Sequence, residues 1–484
     1  MSTTERFSSR WGLILSVIGI AVGTGNIWRF PRIAASNGGG TFLIPWVAFL
    51  FLWSIPLIMA EFAIGKKTRQ GTVGSFAQMM GSRFAWMGGY IGVVAVGIMF
   101  YYSVVAGWCI RYFLLAASGQ LLSVSDHSAA WESFSGSQWQ PVVFHFAAIS
   151  VCVLVVSRGV VSGIEQVNRV LVPSLLLLIV VSAVRAVTLP GSLKGLEFLF
   201  TPDFSELTDA TVWLQALTQN AWDTGAGWGL TLTYAVYMRR QEDVPLNAAL
   251  IAFGNNSVSL LAGITVFCTV FALAPGNAQE LIRTPGPANT GLTFIWMPQL
   301  FAQMPGGSLF AVMFFLALSL AAISSLISMV ELATRILMDM KLTRRRAILI
   351  VYGGTFLFGL PSALSADIFL NQDWVWGMGL ILAGLFMALI AIRYGANRFR
   401  HELINESGDI HVGRWWSLIV KYLIPLQVVV LVTWWFAQVI TTDLENWWNP
   451  LVPESVGTCL FQWGIVLLVL LSMNSLIVRR TVKP

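Results

Sequence analysis

Three carboxylic acid residues lie in the middle of long apolar stretches of this chain: Glu61, Asp223 and Glu331. A carboxylate in an apolar environment is costly, and such residues usually bind an ion, carry a proton or accept hydrogen bonds from interrupted backbone. Asp223 belongs to the glycine-rich run 222–229, and a second glycine-rich run, 19–26, ends at Asn26. Because glycine clusters disfavour continuous helix, the two runs predict two interrupted helices that share a polar site.

Neutral oxygen donors occur in other apolar stretches of the chain. Asn255 and Ser259 are one helical turn apart, and Ser324 and Ser325 are adjacent. Amide and hydroxyl oxygens, with the carbonyls freed at a helix break, are ligands that suit Na⁺. Any one of these side chains could instead form a hydrogen bond between helices. Glu61 likewise is either a functional group or a hydrogen-bond partner for interrupted backbone.

Membrane-spanning helices are the elements that would position these residues. Of the 484 residues, 56% are hydrophobic and only 11% are charged, and the mean hydropathy is +0.73. A soluble globule could not bury so much apolar surface, and a disordered chain would be more charged. Segments of about 20 apolar residues cross a bilayer, and in lipid they must be helical. Twelve such spans are predicted, over residues 11–35, 41–65, 86–116, 141–157, 163–188, 211–238, 245–274, 306–338, 347–364, 374–394, 414–440 and 456–478.

The charged residues indicate the orientation of these spans. With the N-terminus in the cytoplasm, the inner segments hold 21 of the 29 Lys and Arg, whereas the outer loops hold only Lys194 and Arg283. By the positive-inside rule we expect both termini to be cytoplasmic, in a multi-pass protein of the cell inner (plasma) membrane. The basic charge is spread over short loops that face anionic lipid, which argues against a nucleic-acid partner. The four cysteines lie inside spans, so no disulfide is expected.

The two glycine-rich runs lie in spans 1 and 6, each the first helix of a block of five. We therefore expect an all-α polytopic membrane protein of 12 transmembrane helices. Helices 1–5 and 6–10 would form inverted repeats with broken helices 1 and 6, and substrate and ions would bind at the breaks. Residues 1–395 would form the ten-helix transport core, and residues 396–484 would form helices 11 and 12 with a cytoplasmic C-terminus.

A long motif surrounds the first glycine-rich run. It comprises residues 10–13 (Arg-Trp-Gly-Leu), 21–31 (Ala-Val-Gly-Thr-Gly-Asn-Ile-Trp-Arg-Phe-Pro) and 37–40 (Asn-Gly-Gly-Gly), with shorter matches at 56–61, 101–102, 158–165, 201–204 and 233–237. This pattern resembles the neurotransmitter:sodium symporters, closely over helices 1–10 and loosely over helices 11 and 12. The resemblance implies the leucine-transporter fold and Na⁺-driven uptake of an amino acid or related solute by alternating access.

The resemblance also implies two Na⁺ sites, position by position. The first Na⁺ would be held by the Ala21 carbonyl, Asn26, Asp223, Asn255 and the carboxylate of the substrate. The second would be held by the carbonyls of Gly19, Val22 and Ala321 and the hydroxyls of Ser324 and Ser325. The implied substrate-binding residues are Ala21, Thr24, Gly25, Ile98, Tyr102, Trp222, Asp223, Gly225, Trp228, Ser325 and Met329.

The resemblance further implies two gates and a cradle for the substrate carboxylate. Tyr102 and the amides near Thr24 and Gly25 would hold the carboxylate. Arg29 and Asp373 would form the outer gate pair, and Asp339 would be the acid of the inner gate. The basic residue of the inner gate is out of register, since Thr4 aligns with it and Arg6 is the nearest candidate.

Departures from the family pattern concern the charge of the site. Gly23 stands where the monoamine transporters have Asp, which favours substrates that carry their own carboxylate. Asp223 replaces the Thr or Ser that is usual at its position. Ser259 is the residue typical of a chloride site, but Trp46 replaces the Tyr expected there. Family members that need no Cl⁻ supply a carboxylate nearby. We therefore predict that Asp223 provides the fixed charge at the position of the chloride site, so that chloride is not required.

The substrate itself is left open by these residues. Two Trp, at 222 and 228, replace the commoner Phe, and the simplest interpretation is a small or medium neutral amino acid. A Trp cage could instead hold a betaine-like or other methylated zwitterion by cation–π attraction. A channel or an integral-membrane enzyme has no supporting motif, such as H-E-x-x-H or G-x-S-x-G. Expected partners are the amino-acid-like substrate and the lipid bilayer, and the protein would be a monomer or homodimer.

Overall fold

The computed structural model describes residues 6–284, 289–406 and 410–481 and contains helices but no strand within these ranges. Among these described residues, ten helices are long and apolar enough to cross a membrane. They correspond to predicted spans 2–5 and 7–12 and comprise Gly40–Thr68, Ser82–Ala117, Gln140–Ser157, Val160–Val187, Val244–Leu273, Gly307–Asp339, Arg344–Leu364, Ala366–Tyr394, Arg414–Thr442 and Val456–Thr481. The all-α polytopic membrane architecture is therefore confirmed.

The two remaining spans are both interrupted, as the glycine-rich runs predict. Span 1 consists of Arg10–Ala21 and Gly25–Ser36, which meet at an angle of 47° and together are long and apolar enough to cross. Span 6 consists of the shorter helices Ala210–Asp223 and Leu230–Ala235, neither of which has the length of a crossing helix. Up to eleven spans by length thus occur in the part of the chain that the structure describes, and the predicted sixth span is present as two short helices.

The break in span 6 depends on glycine backbone conformation. Gly225, Gly227 and Gly229 have φ angles of +69°, +89° and +78°, in the left-handed region that residues with a side chain rarely adopt. At Gly227 a Cβ atom would lie only 2.6 Å from the Cα of Gly384. The connection between the half-helices therefore packs directly against the backbone of span 10.

Short helices that the pattern of apolar spans did not predict lie in the connections. The longest are Thr72–Met80, His127–Ser135, Leu193–Phe200 and the segment Leu292–Ala302. Each is much shorter than a span, and they lie between successive transmembrane helices. A search for stretches of about 20 apolar residues does not detect elements of this length.

Spans 3 and 8 form the centre of the molecule. In each of them, 78% of the most apolar stretch of 18 residues is buried inside the protein, compared with 22% in span 11 and 28% in span 12. The two broken helices pack beside this centre, so their glycine-rich runs lie in the protein interior. Irregular backbone at membrane depth is tolerated where it is buried in protein or lines a cavity.

The connections rich in Lys and Arg meet on one side of the molecule, which we call the basic face. On this side the Phe7 amide donates to the Tyr237 carbonyl at 3.2 Å, and Asn474 at the end of span 12 donates to the Ser82 carbonyl at the start of span 3, also at 3.2 Å. The N-terminal segment thus contacts the end of span 6, and span 12 contacts the start of span 3. The other side is called the opposite face.

Candidate functional site

A small cavity lies at the two helix breaks, with a volume of about 70 Å³. It extends from the breaks toward the opposite face, where Arg32, Asn289 and Phe369 line it. Ten of the eleven implied substrate-binding residues line this cavity: Ala21, Thr24, Gly25, Tyr102, Trp222, Asp223, Gly225, Trp228, Ser325 and Met329. Ile98 does not line it and is fully buried in span 3.

Hydrogen-bond donors converge where span 1 is interrupted. The Thr24 amide donates to the Tyr102 hydroxyl at 3.1 Å, and the Gly23 amide donates to Asn26 Oδ1 at 2.8 Å. A Cβ atom at residue 23 would lie 2.6 Å from Ser325 Oγ and 3.0 Å from the Tyr102 hydroxyl. A side chain at position 23 would therefore displace the Ser325 or Tyr102 hydroxyl. Amides at the start of a half-helix and a phenol hydroxyl form a cradle suited to a carboxylate.

The residues predicted for the first Na⁺ site lie together beside this cradle. The side chain of Asn26 donates to Asn255 Oδ1 at 2.7 Å and to Ser259 Oγ at 2.8 Å. The amide group of Asn255 lies 2.9 Å from the main-chain carbonyls of Ala21 and Asp223, and its oxygen faces both of them. Oxygens so close repel each other unless a cation or an amide proton lies between them. The group therefore either coordinates a cation or turns its amide to donate.

Asp223 closes this cluster with a buried carboxylate. Its Oδ2 accepts hydrogen bonds from Gln219 Nε2 at 3.3 Å and from Ser259 Oγ at 3.4 Å. Its Oδ1 has no hydrogen-bond partner among the described residues, and neither does the indole N–H of Trp46. A buried carboxylate with one unsatisfied oxygen is poised to interact with a cation or to bind a proton.

The second predicted Na⁺ site is assembled from span 1 and span 8. Ser324 Oγ donates to the Ala321 carbonyl at 2.9 Å and to the Val22 carbonyl at 3.2 Å. Ser325 Oγ lies 3.3 Å from the Ile20 carbonyl, a group that the prediction did not include. The predicted ligand Gly19 is in the same turn, and a Cβ atom there would lie 3.3 Å from Asn168 Oδ1. Four of the five predicted groups are thus within one hydrogen-bonded cluster.

Two indole rings form the aromatic wall of the cavity. The rings of Trp222 and Trp228 meet edge to face, with centroids 5.6 Å apart and an interplanar angle of 80°. The indole N–H of Trp228 donates to the Ala221 carbonyl at 2.9 Å. A Cβ atom at Gly377 would lie 2.9 Å from the Trp222 ring. The glycine in span 10 therefore provides the space that the larger ring needs.

The outer gate residues line the cavity without forming an ion pair. The guanidinium of Arg29 lies 4.7 Å from the centroid of the Trp222 ring, and Asp373 Oδ1 accepts a hydrogen bond from Tyr101 at 3.0 Å. Arg29 and Asp373 are both described, and no contact of 4.0 Å or less joins their charged atoms. The predicted gate pair is thus brought to the same cavity but is not closed.

The inner gate acid has a different partner from the one predicted. Asp339 forms an ion pair with Arg335 at 2.8 Å, one turn earlier on span 8, and it accepts the Gly71 amide at 2.5 Å. Arg335 also donates to the Arg69 carbonyl at 3.0 Å. No ion pair joins Arg6 to Asp339, because a basic residue four positions away on the same helix already occupies it. The alternative position, Thr4, lies outside the described residues.

Glu331 is predicted from the sequence to be a buried acid, but the sequence does not indicate its partner. The structure places Arg344 2.6 Å from Glu331 Oε2, and the Tyr237 hydroxyl donates to Oε1 at 2.7 Å. The carboxylate therefore joins span 8 to the end of span 6 and the start of span 9. The signal available in the sequence was the intramembrane position of Glu331, since such a charge requires a partner.

The N-terminal segment is held on the basic face by a residue of span 5. Glu165, which is buried, accepts hydrogen bonds from the amide of Ser8 at 2.8 Å and from its hydroxyl at 2.5 Å. Ser9 Oγ lies 3.2 Å from the same carboxylate. Glu165 lies in one of the motifs quoted above, but the sequence did not indicate its partners. On the basic face, these contacts and those of Glu331 join the N-terminal segment to span 5 and join span 8 to spans 6 and 9.

Glu61 satisfies the interrupted backbone of span 6. Its two carboxylate oxygens accept the Gly227 amide at 2.6 Å and the Leu232 amide at 3.0 Å. The sequence left two roles open for Glu61. Its contacts are those of the second role, a hydrogen-bond partner for interrupted backbone. A carboxylate suits this position because each oxygen accepts a separate backbone donor.

Known proteins share both the sequence pattern and the fold. The model of the sodium:neurotransmitter symporter family matches residues 4–133 and 120–480. A sodium-dependent transporter of Methanocaldococcus jannaschii is 32% identical over 444 residues, which cover 88% of this chain and 89% of the relative. A sodium-dependent transporter of Bacillus subtilis is 30% identical over 449 residues, covering 88% of this chain and 96% of the relative.

The fold of a solved structure agrees with the fold of this chain over nearly the same length. The crystal structure of MhsT in complex with L-phenylalanine superposes with a TM-score of 0.80 at 30% sequence identity and covers 89% of this chain and 99% of that chain. The matched family and relatives are sodium-dependent transporters and not enzymes, so the alternative of an integral-membrane enzyme does not hold. The motif around the first helix break, the two broken helices and the matches over most of the chain agree: this chain belongs to the sodium:neurotransmitter symporter family and is a sodium-dependent transporter.

Proposed function

We propose that the protein imports a small neutral amino acid together with Na⁺ and without chloride. The observation that carries this proposal is the contact between two sites at the helix breaks. The carboxylate cradle of Thr24 and Tyr102 adjoins the oxygen cluster of Asn26, Asn255 and the Ala21 carbonyl. A zwitterion seated in the cradle directs its carboxylate at this cluster, and Na⁺ is the cation that the family uses.

Coupling between the two solutes follows from this arrangement. If the substrate carboxylate completes the coordination of Na⁺ at the first site, each solute raises the affinity of the protein for the other by the same factor. The second cluster, at Ser324 and the carbonyls of Val22 and Ala321, links span 1 to span 8. A Na⁺ ion there would hold the two helices together while the substrate is bound.

The size and lining of the cavity favour a small amino acid over a methylated zwitterion. The cavity measures about 70 Å³, which is about half of the roughly 150 Å³ of an apolar cavity that binds benzene. Arg29 already lies 4.7 Å from the Trp222 ring, so a second cation over the Trp222 indole would be repelled. The cage that a betaine-like substrate needs is therefore compromised at Trp222. The relative MhsT was crystallised with L-phenylalanine, which supports an amino acid as the class of substrate.

Asp223 supports chloride-independent transport. Its carboxylate accepts hydrogen bonds from the side chains of Gln219 and Ser259, at 3.3 and 3.4 Å. These donors would surround an anion, and the carboxylate already places a negative charge among them. A chloride ion at the same place would be repelled.

Transport requires that access alternate between the two faces. The contacts of Glu165, Glu331 and Asp339 close the basic face, while Arg29 and Asp373 leave the outer gate unpaired. This arrangement fits a state that receives substrate from the opposite face, with the basic face and both termini in the cytoplasm of a cell bounded by this plasma membrane. Release then requires the N-terminal segment to leave Glu165.

The test is uptake of radiolabelled amino acids into proteoliposomes with an imposed Na⁺ gradient. We expect accumulation that is lost when choline replaces Na⁺, is unchanged when gluconate replaces chloride, and is inhibited by alanine and glycine but not by glycine betaine. Inhibition by glycine betaine alone would favour the methylated zwitterion. Collapse of uptake in gluconate would refute chloride independence.

Two tyrosine variants distinguish a role in the carboxylate cradle from a role in packing. Tyr102→Phe removes the hydroxyl that accepts the Thr24 amide, so the half-saturating substrate concentration should rise. Tyr352→Phe removes a hydroxyl that lies 2.9 Å from Ser150, away from the breaks, and should transport normally. Equal behaviour of the two variants would contradict the role of Tyr102.

A further inference from the structure

A second cavity, separate from the helix breaks, lies among spans 3, 8, 9, 10 and 12. Its volume is about 460 Å³. Apolar side chains and glycines account for nearly all of its lining, including Val96, Ile336, Gly354, Phe358, Trp376 and Leu470. None of the residues assigned above to substrate, ions or gates lines this cavity.

Water is a poor occupant for this space. An apolar cavity of about 150 Å³ stays dry and binds an apolar molecule instead. The present cavity is larger than that and opens sideways, since Ile350 and Phe358 line it while being 53% and 65% exposed. Exposed apolar residues of a transmembrane helix face lipid, so hydrocarbon from the bilayer has access to the cavity.

The cavity is long and runs along the helices. On span 3 its lining extends from Gly89 to Phe100, about 16 Å of helix at 1.5 Å per residue. It begins near the basic face, where Met340 at the end of span 8 and Ile477 near the end of span 12 line it. Its shape is therefore that of a channel for an extended chain entering from the basic face.

Basic residues surround this entrance. They lie at the ends of the helices that enclose the cavity and comprise Arg83, Lys341, Arg345, Arg346, Arg479 and Arg480. All six are exposed, and none forms an ion pair with the described residues. No Asp or Glu occurs in residues 81–90, 340–350 or 471–481. Basic clusters of this kind between transmembrane helices bind the head groups of anionic lipids.

We propose that this cavity binds one acyl chain of an anionic phospholipid, whose phosphate group lies among the basic residues at the entrance. The apolar lining explains affinity for the chain, and the unpaired arginines explain preference for a negatively charged head group. The bound lipid would fill the space between the central spans 3 and 8 and the peripheral span 12, so it would stabilise their packing.

Two adjacent glycines provide a matched test. A Cβ atom at Gly353 or at Gly354 meets nothing within 4 Å, and neither residue has positive φ. Only Gly354 lines the cavity. The variant Gly354→Leu would therefore place a side chain inside the cavity, whereas Gly353→Leu would add the same atoms outside it.

The experiment is native mass spectrometry of the purified protein incubated with dioleoyl phosphatidylglycerol or with dioleoyl phosphatidylcholine. We expect wild type and Gly353→Leu to retain one phosphatidylglycerol per protomer under conditions that remove phosphatidylcholine, and Gly354→Leu to lose it. The thermal unfolding midpoint of wild type and Gly353→Leu, but not of Gly354→Leu, should rise with phosphatidylglycerol.

A surface variant keeps the test valid if Gly354→Leu does not fold. Replacing Arg345, Arg346, Arg479 and Arg480 together by Gln leaves the cavity intact and should abolish the preference for phosphatidylglycerol. Retention of phosphatidylglycerol by both Gly354→Leu and the Gln variant would overturn the proposal, as would equal retention of phosphatidylcholine by wild type. A dimer that dissociates only in Gly354→Leu would show that a second copy, and not lipid, covers the cavity.

Discussion

The charge of Asp223 can be tested by the nearly isosteric variant Asp223→Asn. Asn retains one side-chain oxygen that can accept from Gln219 or Ser259, as Oδ2 does at 3.3 and 3.4 Å in the structure. The substitution removes the negative charge and leaves the backbone carbonyl beside Asn255 in place. A change in Na⁺ dependence therefore reports the loss of the carboxylate, that is, of its charge and of its second oxygen together, and rescue by chloride reports the charge.

The expected magnitude follows from the position of the carboxylate beside the oxygen cluster. Two unit charges about 5 Å apart interact with about 3 kcal/mol at an effective dielectric constant of about 20. Since 1.4 kcal/mol corresponds to a factor of ten in affinity, the full interaction would correspond to about a hundredfold. Water in the cavity screens part of this, so we expect the half-saturating Na⁺ concentration to rise by about 10- to 100-fold.

The assay is the Na⁺ dependence of substrate uptake in proteoliposomes, measured with chloride and with gluconate. The loss of the carboxylate leaves the donors of Gln219 and Ser259 without an anion. We therefore expect that chloride restores part of the uptake by Asp223→Asn and has no effect on the wild type. Unchanged Na⁺ affinity together with unchanged, chloride-independent uptake would refute the charge role of Asp223.

Three further substitutions test other parts of the site. Ser324→Ala removes a hydroxyl of the second oxygen cluster and should lower Na⁺-driven uptake at least about tenfold. Ser319→Ala, which loses only a bond to its own helix, should transport like wild type, and equal loss in both would indicate a folding defect. Gly377→Ala would push the Trp222 ring into the cavity, because the new Cβ would lie 2.9 Å from it, and should raise the KM for phenylalanine more than for alanine in competition assays. Glu61→Gln leaves one buried backbone amide facing an NH₂ group and should lower the free energy of unfolding by about 1–3 kcal/mol, seen as a lower thermal midpoint in detergent.

Much of the fold was predictable because lipid allows few solutions. Apolar length identifies a crossing helix and the glycine-rich runs identify the two breaks, since both depend on local sequence alone. The predicted sixth span consists of the two short helices Ala210–Asp223 and Leu230–Ala235. The short helices of the connections, such as Thr72–Met80, were not predicted, because they are too brief for an apolar window to detect.

The site was predictable as a set of residues but not as a set of pairs. Asn26, Asn255 and Ser259 come together as the motif implies, although more than 200 residues separate Asn26 from the other two. The gates differ from the expectation. Asp339 pairs with Arg335 on its own helix and not with Arg6, and Arg29 packs on Trp222 without an ion pair to Asp373. Long charged side chains have several partners within reach, and packing selects among them.

The sequence by itself determined that this protein lies in a membrane, where its helices break and which residue types surround the breaks. These properties follow from composition, from glycine backbone freedom and from the cost of burying charge, which act on each segment separately. Only the tertiary structure decided that Glu61 serves the backbone of span 6, that Glu165 holds the N-terminal segment and that Gly377 makes space for Trp222. Those contacts join helices that are far apart in the chain, so they depend on how the spans pack against one another and cannot be obtained from any one of them.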